Sequence, residues 1–139
     1  MGWNVGDTHE TVVVDDLKRT QIVQYAGASG DYNPLHTDEL FATKVAGYPS
    51  VFAHGMLTMG MTGRVVTDLV GVEGLLKFGG RFTSQVFPGD TLTVRATVES
   101  VDDDAVTFTL STVNQDGTEV FSGSATANVG SADGATAKA

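Results

Sequence analysis

From Val45 to Gly63 the chain carries no Asp, Glu, Lys or Arg. A stretch this long without charge has to be buried, either in a bilayer, whose spans need about 20 apolar residues, or inside protein. This one holds Ser50, Pro49, His54 and glycines at 47, 55, 60 and 63, where a membrane span is richer in Leu, Ile and Val. Burial in protein is the reading that fits. From His54 to Val70 the pattern predicts one long helix, apolar at Met56, Leu57, Met59, Met61, Val65, Val66 and Leu69. Apolar groups on more than one face predict burial on most sides, with the methionines as core. Each of Gly55, Gly60 and Gly63 costs such a helix about 1 kcal/mol relative to Ala. They make sense where backbone must come close to a sheet or a ligand.

After Gly71 the period changes from helical to alternating. Leu92, Val94, Ala96 and Val98 alternate with Thr93, Arg95, Thr97 and Glu99, and Val106, Phe108 and Leu110 with Thr107, Thr109 and Ser111. This is the pattern of half-buried strands. Turn signals at Pro88-Gly89-Asp90, Asp102-Asp103-Asp104 and Asn114-Gln115-Asp116-Gly117 divide four strands, at about 75–87, 91–101, 105–114 and 118–129. Short turns make neighbours antiparallel. Upstream, Thr11–Val14 predicts a short strand, and Asp15 or Asp16 is placed to cap a helix over about 17–27. Gly30-Asp31 and Asn33-Pro34 end that helix, and a short helix over 38–45 follows. An antiparallel sheet wrapped around one central apolar helix satisfies this order. The expected class is α+β with the hot-dog architecture, as one domain over residues 1–129. The small, polar residues 130–139 are expected to be a disordered tail.

Composition removes several function classes. Net charge is -9 with a pI near 4.4, and the basic residues form no cluster, so the charge disfavours nucleic acid as a partner. There is no cysteine, which excludes disulfides, thiol nucleophiles and thiolate metal sites. Charged residues make up 18% of the chain, below the roughly 25% of ordinary soluble domains, and association between chains is one way to bury so uncharged a surface. The first residues, Met1 to Asp7, have neither a basic nor an apolar leader segment, so a cytoplasmic protein without a membrane anchor is expected. GxSxG, P-loop, HExxH and dinucleotide fingerprints are absent.

The chemistry-bearing candidates are few. His9 lies near the start and is expected at the surface. His36 follows Asp31 by five positions, with Asn33-Pro34 between them. Taken bare, Gly-Asp and Asn-Pro are ordinary turn formers. A carboxylate and an imidazole in one rigid loop can nevertheless share a water molecule, supplying a base and its orienting partner. At the start of the central helix, the unpaired N–H groups and the helix dipole favour an anion. With no side chain at Gly55, an acyl oxygen can reach that N–H and develop charge there; the bland alternative is that Gly55 only permits tight packing. His54 is read as a cap or a satisfied buried polar group, or as a residue that reaches substrate. Met56, Met59 and Met61 at helical spacing are read as core rather than as an acyl tunnel.

The run Tyr25-Ala-Gly-Ala-Ser-Gly-Asp31-Tyr-Asn33-Pro34-Leu35-His36, followed by Ala42, resembles the hydratase motif of the MaoC-like family. That family includes the (R)-specific enoyl-CoA hydratases and the (3R)-hydroxyacyl-ACP dehydratases. The resemblance continues in Ala53-His54-Gly55-Met56-Leu57 and in Phe87-Pro88-Gly89-Asp90-Thr91-Leu92, and covers roughly residues 7 to 128. It implies syn addition of water across an α,β-unsaturated thioester, or its reversal. Asp31 and His36 are then catalytic, the Gly55 N–H polarises the carbonyl, and Asn33 holds the loop and touches the site. It also implies a homodimer or higher homo-oligomer with the site beside the interface, or a heterodimer with a related hot-dog subunit. No metal or organic cofactor is expected, CoA or acyl carrier protein being the handle of the substrate. Two rival readings stay open. A hot-dog thioesterase commonly carries an acidic residue on the central helix, which here has none before Asp68. A non-catalytic subunit that binds acyl chains is the other.

Overall fold

The computed structural model describes residues 2–130, so all but the first residue of the expected tail lies outside the described residues. Five strands form one antiparallel sheet: β1 (Thr8–Val14), β2 (Leu75–Phe82), β3 (Leu92–Asp102), β4 (Ala105–Val113) and β5 (Glu119–Asn128). The alternation seen in the sequence decides which side faces inward. Leu92, Val94, Ala96 and Val98 of β3 and Val106, Phe108 and Leu110 of β4 are buried, while the Thr, Arg and Glu between them turn outward.

Two helices accompany the sheet, α1 (Arg19–Ser29) and α2 (Gly55–Val70). Thr58, Thr62, Val65 and Val66 make the buried spine of α2, at the spacing of one helical face. Val66 packs with Ala96, Val98, Val106, Phe108, Leu110 and Ala125 into the main core. A second cluster, including Leu17, Ile22, Ala53, Val86, Leu92 and Val120, ties α1 and the chain before α2 to the sheet. This is the hot-dog fold.

Several expectations need correction. The helix is buried along one face only: Met56 is exposed and Met59 half-buried, while Met61, also half-buried, packs against the second core cluster, because the sheet covers a single side of α2 in the lone chain. Neither Asp15 nor Asp16 caps α1, whose first flanking residue is Lys18 with no side-chain cap. Asp15 instead accepts from the Thr91 hydroxyl at 2.8 Å, and Asp16 takes a positive φ of 56° and pairs with Lys18. The short helix expected over 38–45 does form, helical at 39–40 and continuing as the π-helical turn Phe41–Val45. His9 is half-buried beside Trp3, its ring edge-on at 5.9 Å.

Strand order departs from a simple meander. β2 pairs with β5, and β3 lies between β1 and β4, giving the order β1-β3-β4-β5-β2. β2 also ends at Phe82, short of the expected 87. Residues 83–91 leave the sheet and turn at Pro88-Gly89, where buried Asp90 accepts from the Phe87 N–H at 2.9 Å and from the Gln115 amide at 3.0 Å. That detour carries the chain across the sheet to the far side of β4. Among the described residues no helix is long and apolar enough to cross a membrane.

Candidate active site

The loop after α1 is built by its own side chains. Gly30 closes the helix in the left-handed region (φ 76°), its N–H bonding to the Ala26 carbonyl, a conformation that favours glycine. Asp31 Oδ1 then accepts from the Asn33 N–H at 3.2 Å, and Asn33 Oδ1 from the Leu35 N–H at 3.0 Å. These are two successive Asx turns. Pro34 starts the 3₁₀ turn Pro34–His36 and sets its entry angle. The outcome is an exposed Asp31 and a buried His36 in one short, knitted segment. Asn33 therefore does hold the loop, through its oxygen, and its side-chain N–H groups take no part in that bond.

His36 is fixed from outside the loop. Its Nδ1 lies 2.6 Å from the Phe52 carbonyl oxygen. A carbonyl can only accept, so Nδ1 carries a hydrogen, and in the neutral ring the lone pair then sits on Nε2. His54 is 2% exposed, and its Nε2 lies 3.0 Å from the main-chain oxygen of Asp31, so by the same argument its hydrogen sits on Nε2. Its Nδ1 is buried with no partner among the described residues, a condition worth about 1–3 kcal/mol of desolvation for a buried polar atom. The two imidazoles stack, with centroids 3.8 Å apart and planes 24° from parallel. Tyr25 meets the His54 ring edge-on at 4.9 Å, and Phe52 meets the His36 ring edge-on at 5.3 Å.

Asp31, His36 and His54 each bring a ligand-type atom within 4.8 Å of the others. Proximity alone does not make a metal centre of them. An imidazole binds an ion in its ring plane, and two stacked rings direct their lone pairs along nearly parallel planes that do not converge on one ion. The same geometry suits a water molecule, which can meet a carboxylate oxygen and the His36 Nε2 together.

Gly55 is the first residue of α2, so its N–H belongs to the group that has no partner within the helix. A cavity of about 310 Å³ opens against it, walled by Phe52, Ala53, Thr58 and Phe82 among others. Asp31, His36 and His54 do not line that cavity; the segment from Phe52 to Gly55 joins the two regions.

Three contributors carry no sequence signal of their own. Phe52 acts through a main-chain carbonyl. Phe82 lies over Gly55 from the end of β2. Glu39 clamps the loop to its surroundings: it pairs with Arg19 of α1 at 3.1 Å, and its Oε1 accepts from the Val51 N–H at 3.0 Å. The Arg19 hydrogen bond, then the Val51 N–H, hold the Glu39 carboxyl below its ordinary range.

The model of the MaoC-like domain matches residues 3–120. A curated relative, 3-hydroxyacyl-thioester dehydratase Y of Mycobacterium tuberculosis, is 40% identical over 89 residues, covering 62% of this chain and 31% of its own length. The chain thus spans about a third of the length of the first curated relative it matches. Among solved structures, R-hydratase PhaJ1 from Pseudomonas aeruginosa superposes with a TM-score of 0.81 at 27% identity, covering 91% of this chain and 81% of that one. A chain of the ChsH1-ChsH2 complex from Mycobacterium tuberculosis gives 0.78 at 24% identity, with 90% and 97% covered, a likeness in fold.

Proposed function

The chain belongs to the MaoC-like domain family, and from that premise we propose that it adds water to a trans-2-enoyl thioester, or removes water from the (3R)-3-hydroxyacyl form, using Asp31 and His36. One observation carries the reading. The Phe52 carbonyl takes the His36 Nδ1 hydrogen, leaving Nε2 as the free nitrogen of a neutral ring, and one nitrogen of that ring lies within 4.8 Å of an Asp31 carboxylate oxygen. In the hydration direction the pair holds one water. One of the two accepts a proton from it as its oxygen bonds to C3, and a proton is delivered to C2 on the same face. Charge that develops on the thioester oxygen meets the N–H of Gly55 at the start of α2, a position suited to an oxyanion. The scheme uses no metal or organic cofactor, and CoA or an acyl carrier protein arrives as part of the substrate.

The partner in this reading is a second hot-dog chain, identical or related. β2 is an edge strand, and Leu76 and Phe82 on it stand exposed in the lone chain, so its free edge supports strand pairing across an interface.

The test is loss of conjugated-thioester absorbance on mixing the protein with a short trans-2-enoyl-CoA, alongside Asp31→Asn and His36→Ala. Rapid loss in the parent, giving the (R)-3-hydroxyacyl-CoA and abolished in both variants, is the expected result. Release of free thiol without hydration would mean a thioesterase, and a loss that survives both substitutions would remove the pair from the mechanism.

A further inference from the structure

His54 has no role in the scheme above, yet it touches both catalytic candidates. Its ring is 2% exposed and lies face to face on His36 at 3.8 Å. Its Nε2–H donates to the main-chain oxygen of Asp31, and His36 in turn donates from Nδ1 to the carbonyl of Phe52, two residues before His54. The two imidazoles thus cross-strap two segments, 31–36 and 52–54. Each ring is rooted in one segment and bonded to the main chain of the other. His54 Nδ1 is buried with no partner among the described residues, a cost that an apolar residue filling the same space would avoid. The donor at Nε2 and the flat ring face together explain why a histidine stands at this position.

We propose that His54 is a positioning residue, which fixes the Asp31 peptide through its Nε2–H and sets the plane of the His36 ring by stacking. It acts through these two groups and does not itself meet the substrate. The inference rests on the hydratase reading for its catalytic consequence and on the two hydrogen bonds and the ring stack for its geometry. With the Asp31 main chain tied at one end and His36 backed at the other, the Asp31 carboxylate and the His36 Nε2 keep the separation that one water can bridge. Releasing either tether lets a reacting group shift, and a misplacement of about 1 Å is enough to lose alignment.

Two substitutions separate the two contacts. His54→Gln keeps an amide N–H near the Nε2 position and loses the ring; His54→Phe keeps a ring to stack and loses the donor. Both are compared with the parent by thermal melt, by kcat and KM on the enoyl-CoA, and by 15N spectra of the histidine side chains. The expected result for folded His54→Phe is a fall in kcat of about 100-fold, the scale of a misplacement near 1 Å, with KM changed less than about threefold because no substrate contact is removed. His54→Gln is expected to recover kcat toward the parent value, though not fully. In the parent, 15N spectra are expected to place the hydrogen on Nε2 of His54 and on Nδ1 of His36. A folded His54→Phe with unchanged kcat, or a rise in KM at constant kcat, would overturn the positioning role. If the parent hydrates nothing, the hydratase reading fails by itself, and the 15N spectra still decide the geometry. The opposite tautomer at His54 would overturn the strap whatever the activity.

Discussion

The ring of Phe82 occupies the space into which any side chain at Gly55 would project: a Cβ placed there meets three of its carbons at 3.0 Å. Phe82 is 49% exposed, so it can swing away, and Gly55→Ala is expected to fold with little change in melting temperature. Activity is a different matter. The methyl group would stand beside the N–H proposed to hold the thioester oxygen, and loss of one such donor costs about 100-fold or more in kcat. Steady-state kinetics on Gly55→Ala and on Gly55→Ala with Phe82→Ala check this. Recovery of kcat in the double variant would assign the defect to crowding by the ring instead of to the N–H.

Glycines elsewhere in the chain are expected to answer the same substitution with opposite signs. Gly80 and Gly123 pair across β2 and β5, and a Cβ at Gly123 would overlap the carbonyl oxygen of Gly79 and crowd Phe121. Backbone cannot retreat there as a surface ring can, so Gly123→Ala is expected to destabilise by about 3 kcal/mol or more. Gly60 lies exposed in α2, with nothing within 4 Å of the added atom. Gly60→Ala is therefore expected to stabilise, by about 0.5–1 kcal/mol. Urea titrations of the two variants read both values, and a stable Gly123→Ala would mean that β2 and β5 do not meet in this register.

Acidity tests the Glu39 clamp. Its carboxyl is held below its ordinary value of 4.5, first by the Arg19 hydrogen bond and then by the Val51 N–H. A group whose folded pKa is depressed contributes stability that is present above its unfolded value and is lost as pH falls through the folded one. Melting temperatures of the parent and Glu39→Gln are thus expected to differ near pH 7 and to converge as pH drops below about 4.5. Both side chains of the pair are about half exposed, so added salt is expected to narrow the gap near neutrality. A gap that stays constant across the whole pH range would remove the ionised clamp.

The central helix, all five strands and the Asp31–His36 loop were legible in the sequence because each depends on neighbours along the chain. Alternation in Leu92–Val98 reports which side is buried, and Asn33-Pro34 reports a turn whatever surrounds it. Strand order was not legible, since the Thr83–Thr91 connection resembles a hairpin turn until Asp90 is seen binding Phe87 and Gln115. The N-terminus of α1 was misread because Asp15 and Asp16 bond to residues on either side of it, Thr91 and Lys18, and not to the helix. In the site, Asp31, His36 and Gly55 stood out as residue types. The Phe52 carbonyl that sets the His36 tautomer has no side-chain signature, and the meeting of His54 with Asp31 joins segments 23 positions apart.

Thr62 and Thr112 offer the most direct test of how α2 sits on the sheet. Both are fully buried, and their hydroxyl oxygens lie 2.7 Å apart across the interface between α2 and β4. Thr62 donates to the Thr58 carbonyl at 3.0 Å, so its single hydrogen is committed and Thr112 must be the donor between the two. The two single changes to Val are therefore unequal. Thr112→Val removes a donor and leaves Thr62 with its carbonyl partner, at a cost of about 1 kcal/mol. Thr62→Val leaves the Thr112 hydroxyl buried with nothing to donate to, at a cost of about 1–3 kcal/mol. The double variant replaces both hydroxyls with methyl groups of similar shape and is expected to be more stable than the sum of the singles predicts, with a coupling above about 0.5 kcal/mol. Denaturant melts of the four proteins close the cycle. Additive effects, or a larger loss for Thr112→Val than for Thr62→Val, would mean that the hydroxyls do not meet as described, and with them the register of α2 against β4.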